Sequence, residues 1–173
     1  MISIRAATLP GDSAGIAAID SSVQTANVLA ACAGPEGVVL RTERQTVTKR
    51  FPIEDLDDPD RPWSRAWVAV DEARIIGFAA VGFQAWNWRL VLWHFYVDAS
   101  RRGQGLGRRL MEVVLEEARA RAARHVWLET SNQNPPGVAA YQALGFSLSG
   151  LDLTLYDGTP SEGEFALFFS RPV

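Results

Sequence analysis

The segment that most restricts the fold runs over residues 90–124. Residues 90–97 are apolar apart from His94, so they offer no wet face, as expected of a strand inside a sheet. The chain then passes through Arg101-Arg102-Gly103-Gln104-Gly105-Leu106-Gly107-Arg108-Arg109 into a helix predicted over 104–124. Leu106, Leu110, Val113, Val114 and Ala118 make one stripe of that helix, and Glu117 and Arg121 are spaced for an ion pair. A short strand is predicted over 125–130. Strand, helix and strand in this order make a β-α-β crossover, which needs two parallel strands in one sheet.

The joint between strand and helix has its own chemistry. Gly103, Gly105 and Gly107 leave backbone N–H groups uncovered by any Cβ at the point where a helix begins. First-turn N–H groups lack an intrahelical partner and lie at the positive end of the dipole, so the joint suits a phosphate. Arg108 and Arg109 fall in that first turn, where a cation opposes the dipole at a cost of about 0.3 kcal/mol or more. An anion nearby would explain their position. A dinucleotide fingerprint would need glycine or alanine at Arg108, and no Gly-Lys-Ser/Thr ending of a P-loop occurs.

Around this core, residues 2–8 read as a first strand. Pro10-Gly11-Asp12-Ser13 opens a helix predicted through about Ala30, broken by Gly34-Pro35 and Gly37. Residues 38–50 read as a strand with Val39, Arg41, Glu43, Gln45, Val47 and Lys49 on a mostly wet face, and the acidic stretch 54–60 reads as a solvated connection. Apolar runs at 66–70 and 75–83 form a hairpin about 71–74, and a second turn at Trp86-Asn87-Trp88 leads into the central strand. Pro135-Pro136 starts a helix that ends before Gly145, and 146–156 and 164–170 pair as an antiparallel hairpin. The expected fold class is α/β, in detail an α+β mixed sheet, with antiparallel N-terminal strands, the crossover and a C-terminal hairpin in one domain over 1–173.

Composition excludes several classes of function. A net charge of −3 argues against a nucleic-acid binder, so the arginines of the joint are a local cluster. One cysteine, Cys32, permits no intrachain disulfide and fits a reducing cytoplasm. Residues 1–5 lack a signal-peptide core and no apolar run reaches bilayer length, so no membrane association is expected. Two separated histidines and one cysteine make no metal site.

Arg102-x-x-Gly105-x-Gly107 after Phe95-Tyr96-Val97 resembles the acetyl-CoA pyrophosphate loop of the GNAT acetyltransferases. The resemblance covers most of the chain and continues through Asn134, Tyr141 and Gly145-Phe146. It implies a GNAT-like fold and acetyl-CoA as cosubstrate, with no metal. The cosubstrate would lie on Phe95, Tyr96, Val97, Arg102, Gly103, Gln104, Gly105, Leu106, Gly107 and Arg108, with Asn134 touching its pantetheine arm. Tyr141 resembles the acid that protonates the departing thiolate. Glu129 matches the general base of the branch that acetylates ribosomal-protein N-termini. Glu129 is equally readable as a paired structural acid, His94 as base or core histidine, and Tyr141 as a core side chain. Trp93 stands where other members often carry a glutamate.

Residues 128–130, 150–152, Tyr156 and 164–169 are similar to the streptothricin acetyltransferase branch, which acetylates an amino group of a cationic antibiotic. A small amine acceptor is therefore expected, contacting Trp86, Asn87 and His94. All six tryptophans lie between the acidic stretch and the last parallel strand, with Trp67, Trp93 and Trp127 expected in the core. A protein N-terminal acetyltransferase and a non-catalytic acyl-CoA-binding module remain alternatives, and a homodimer is left open.

Overall fold

The computed structural model describes residues 1–51 and 53–173. In chain order the elements are β1 (Ser3–Ala6), α1 (Ser13–Ala17), β2 (Val23–Gly34), β3 (Gly37–Lys49), β4 (Arg65–Asp71), β5 (Arg74–Gln84) and β6 (Arg89–Val97). A 3₁₀ turn (Ala99–Arg101) then leads to α2 (Leu106–Ala120), β7 (His125–Ser131), α3 (Pro135–Ala143), β8 (Ser147–Asp152) and β9 (Ala166–Pro172). The chain divides into two units, one of residues 1–21, 50–128 and 171–173, the other of 22–49 and 129–170.

In the first unit the sheet order is β1-β4-β5-β6-β7. The β1–β4, β4–β5 and β5–β6 pairs are antiparallel, and β6–β7 is parallel from Arg89↔His125 to Val91↔Trp127. The helix α2 that joins β6 to β7 buries Leu106, Leu110, Val114 and Ala118 of the predicted stripe together with Met111 and Leu115, while Val113 is half-buried. Glu117 and Arg121 pair at 2.9 Å on its solvent side. Ile16, Ile19, Leu56, Trp63, Val68, Ile75, Phe78 and Ala80 form a second apolar cluster. Each large side chain fully buried in this way contributes about 1.5–3 kcal/mol.

In the second unit β8 and β9 pair antiparallel, as expected, and β2 and β3 form a long hairpin. That hairpin corrects the predicted helix over 13–30. Only Ser13–Ala17 is helical, and Val23–Gly34 is extended and paired with β3 through Gly34↔Gly37. Alanine's preference for helix is worth tenths of a kcal/mol per residue. A ladder along the strand, with β-branched Val23, Thr25 and Val28 within it, outweighs that preference.

Two further expectations need correcting. The acidic stretch is solvated at Glu54, Asp57, Asp58 and Asp60, but Leu56 is buried and the Asp55 carboxylate accepts the Trp63 indole N–H at 2.8 Å. A connection that crosses an apolar cluster must supply an acceptor for a buried indole. Trp93 is 43% exposed rather than core. Its register explains why: His94 pairs with Ala80 and Leu92 with Val81, so Trp93 is the extra residue of a bulge. Trp67 and Trp127 are half-buried.

Beside the bulge, Gly82 has no room for a side chain, because a Cβ there would lie 2.4 Å from the Pro62 carbonyl oxygen and 3.2 Å from the Trp93 indole nitrogen. Gly82→Ala is expected to cost about 1–3 kcal/mol and lower Tm by roughly 2–10 °C. Scanning calorimetry checks this, and an unchanged Tm would show that the loop at Pro62 yields freely.

Candidate active site

The loop after β6 is built on a buried carboxylate. Asp98, 1% exposed, accepts from the Ser100 N–H at 3.1 Å, the Asp20 N–H at 3.3 Å and the Arg74 guanidinium at 2.7 Å. Burial pushes its carboxyl upward, but the Ser100 hydroxyl, which also donates to it, together with these N–H donors and the Arg74 charge outweighs burial and holds it below the ordinary carboxylate value. Gly103 and Gly105 then take positive φ values of 74° and 79°, and α2 begins. The first helical bond in this turn runs from the Arg109 N–H to the Gly105 carbonyl at 3.2 Å. The N–H groups of Leu106, Gly107 and Arg108 therefore precede the helix's own ladder. A Cβ at Gly103 or Gly105 would meet no atom within 4 Å, so the space before this backbone is open and fits a phosphate. One at Gly107 would lie 3.8 Å from the Phe95 ring and 3.9 Å from Val97 Cγ2, so the first turn rests on the end of β6.

The arginines divide their work. Arg102 donates to the Val97 carbonyl at 3.1 Å and the Asp20 carbonyl at 3.3 Å, stapling the loop to β6. Gln104 donates to the Ser100 carbonyl at 3.3 Å, and Arg109 reaches the Ile2 carbonyl at 2.9 Å. Arg108 is exposed in the first turn. Carbonyl acceptors thus explain Arg109 without an anion, which the sequence alone did not reveal.

His94 occupies the middle of β6. Its Nε2 lies 2.8 Å from one Asp55 oxygen and 3.0 Å from the other, and its Nδ1 is 3.5 Å from the Tyr96 hydroxyl. The ring lies among Phe78, Tyr96 and Trp63 at centroid distances of 5.9, 5.8 and 6.1 Å. Asp55 fixes the ring's orientation. No local pattern points to this partner, which lies 39 positions away.

Trp86 is 83% exposed at the β5–β6 turn. Asn87 closes the turn by donating to the Gln84 side chain and accepting from the Arg89 N–H, each at 3.3 Å. This turn precedes β6, whereas the glycine loop follows it, and the nine residues of β6 span roughly 30 Å. Trp86 and Asn87 are therefore not brought together with His94 or with the loop.

The second unit holds the other predicted residues. Glu129 lies on β7, and Tyr156 donates its hydroxyl to Glu129 Oε1. Glu129 keeps exposed surface, with its carboxylate held against Tyr156. Desolvation raises its pKa above the ordinary value despite the Tyr156 hydrogen bond and the nearby Lys49 charge. Lys49 pairs with Glu164, whose carboxylate also accepts from the Ser131 hydroxyl. Lys49 is thus turned inward, 16% exposed, rather than on the wet face expected of β3. Tyr141 packs against Phe146 and Phe169 at centroid distances of 6.0 and 6.5 Å. Burial, then the charge of Glu129, pushes its hydroxyl up to about 12, so it holds its proton across the physiological range. Tyr141 is therefore packed against its neighbours and keeps its hydroxyl proton.

Asn134 is 7% exposed and caps α3, accepting from the Gly137 N–H at 3.0 Å and donating to Thr130 Oγ1 at 3.1 Å. Asn132, which sequence reasoning missed, joins two segments: its amide donates to the Leu29 carbonyl at 2.8 Å and accepts from the Phe165 N–H at 3.0 Å. Among the described residues no group of three or more His, Cys, Asp or Glu is arranged for a metal ion, and no helix is long and apolar enough to cross a membrane.

Residues 38–146 match the model of the acetyltransferase (GNAT) family. A streptothricin acetyltransferase of Streptomyces lavendulae is 40% identical over 172 residues, 94% of this chain and 91% of that protein. The crystal structure of nourseothricin acetyltransferase superposes with a TM-score of 0.87 at 41% identity, covering 99% of this chain and 98% of that one. A structure from Bacillus anthracis solved with acetyl coenzyme A shares the fold, with a TM-score of 0.82, 22% identity, and coverage of 100% of this chain and 99% of that one.

Because Asn134 spends its amide on the α3 cap, Asn134→Ala is expected to destabilise by about 1 kcal/mol and lower Tm by roughly 2–4 °C. Thermal unfolding followed by circular dichroism measures this, with Asn134→Asp expected to recover most of the lost stability because it keeps the accepting oxygen.

Proposed function

We infer that this chain, which belongs to the acetyltransferase (GNAT) family, moves the acetyl group of acetyl-CoA onto a primary amine of a small cationic acceptor of the streptothricin class. The observation that carries this reading is the likeness to a streptothricin acetyltransferase over 94% of the chain, at 40% identity. A match of that extent spans the loop of the first unit and the tyrosines and carboxylates of the second, and it favours treating 1–173 as one catalytic domain.

The chemistry follows from the residues. The open backbone from Gly103 to Arg108 offers N–H donors to the pyrophosphate of the cosubstrate, and the Phe95–Val97 stretch offers backbone groups alongside its thioester. Glu129 takes a proton from the acceptor ammonium, and a pKa raised above the ordinary carboxylate value makes it a better base. The freed amine forms a bond to the acetyl carbon as the carbon–sulfur bond breaks. Tyr141 gives its proton to the leaving sulfur, the acylated nitrogen sheds its remaining extra proton to solvent as the amide forms, and the tyrosinate takes a proton back from solvent. His94, oriented by Asp55, is the second candidate for the base.

Release of free CoA thiol over a panel of streptothricin, other aminoglycosides, simple diamines and a ribosomal-protein N-terminal peptide tests the reading. Turnover is expected with streptothricin and not with the peptide. Turnover of the peptide alone would assign the chain to protein N-termini, and no turnover with any amine would leave an acyl-CoA-binding module.

Tyr141→Phe is expected to lower kcat by ~10²–10⁴-fold with little change in CoA affinity, because one proton donor and almost no volume is lost. Steady-state kinetics beside calorimetric titration with CoA measure this. A loss under about threefold would reduce Tyr141 to its packing against Phe146 and Phe169.

A further inference from the structure

We propose that Tyr156 is a positioning residue for Glu129, and that Glu164 serves the same carboxylate by keeping the Lys49 ammonium to itself. The consequence for rate rests on Glu129 being the base of the proposed reaction; the consequence for the titration of Glu129 does not.

The residues between β8 and β9 form no regular element, yet they are fastened at both ends. Near the start, Asp152 accepts from the Thr154 N–H at 2.8 Å, and two residues later the Tyr156 hydroxyl donates to Glu129 Oε1. Near the end, the Glu164 N–H bonds the Ser161 carbonyl at 3.0 Å, and the Glu164 carboxylate takes both the Lys49 ammonium and the Ser131 hydroxyl. Ser131 is itself held, accepting from the Gln133 N–H at 3.0 Å. The Lys49 ammonium also lies 5.9 Å from the centroid of the Tyr156 ring. Glu129 thus has one hydroxyl aimed at it and one cation close by, and that cation is bound to a different carboxylate.

Glu164 and Lys49 are 11% and 16% exposed, so their pairing is less screened than a surface ion pair. A lysine released from Glu164 would act in full on Glu129. The groups facing Glu129 are Tyr156 from the connection, Lys49 from the end of β3, Glu164 from the approach to β9, and Tyr141 from α3. Each acts with a definite sign. The Tyr156 hydroxyl and Lys49 favour the carboxylate, Glu164 disfavours it, and burial disfavours it most. A glutamate that acts as base works only when deprotonated, so a higher Glu129 pKa moves the acidic limb of the rate profile to higher pH.

The test measures the Glu129 side-chain carboxyl directly, by carbon NMR titration of the labelled full chain with Glu129→Gln for assignment. The pH dependence of kcat/KM for an accepted amine is measured in parallel. Tyr156→Phe is expected to raise the titration midpoint by about half to one pH unit, because one hydrogen bond to the carboxylate is lost. Lys49→Met is expected to raise it as well, and Glu164→Gln to lower it, because a like charge near Glu129 is removed and Lys49 loses its carboxylate partner. A role confined to packing would lower the melting temperature and leave the midpoint in place. The inference is overturned if Tyr156→Phe leaves the midpoint unchanged, or if Lys49→Met and Glu164→Gln move it in the same direction. Should Lys49→Met fail to fold, the opposite signs of Tyr156→Phe and Glu164→Gln carry the test. A midpoint that moves with the rate limb supports both this tuning and the base role. A midpoint that moves while the limb stays supports the tuning and transfers the base role to His94.

Discussion

Asp98 is the charge on which the glycine loop depends. A carboxylate buried this far is tolerated only with donors around it, and those donors come from three separate stretches: the Asp20 backbone, the Arg74 side chain and the Ser100 N–H. Compensating one charge therefore fixes where β6 ends, how the 3₁₀ turn is oriented and where α2 begins. Arg102 completes the fastening by holding two carbonyls, one at the end of β6 and one at Asp20. The glycines can then face open space with positive φ, because their position is imposed by neighbours and not by side chains of their own.

The same rule organises the chemistry elsewhere. In the first unit Asp55 answers both the buried Trp63 indole and the His94 ring, which gives that histidine one fixed orientation. In the second unit two carboxylates take different partners. Glu129 receives a neutral hydroxyl and Glu164 receives a cation and a hydroxyl. Two like acids are thereby given different electrostatic surroundings.

Much of the fold was readable because it rests on local periodicity. The apolar β6, the stripe of α2, the Pro135-Pro136 start of α3 and the hairpin of β4 and β5 each follow from spacing over a few residues. The misread stretch, 13–30, is the one where composition favours helix weakly and the ladder with β3 favours strand strongly. A ladder partner is invisible to any window shorter than the hairpin. The Trp93 bulge escaped for a related reason, since one extra residue changes the facing of a side chain without changing the pattern around it.

The residue types of the site were legible in the same partial way. The sequence by itself determined the crossover, the glycine joint that opens a helix, and the presence of Glu129 and His94 on strands and of Tyr141 on a helix. These depend on backbone geometry and on neighbours within a turn or a strand. Only the tertiary structure decided that Asp55 belongs to His94, that Tyr156 belongs to Glu129, that Lys49 turns inward to Glu164, and that Trp86 lies a strand's length from the loop. Those pairings join residues 39, 27 and 115 positions apart, and a polar contact is chosen by burial and distance in three dimensions, which no local pattern records.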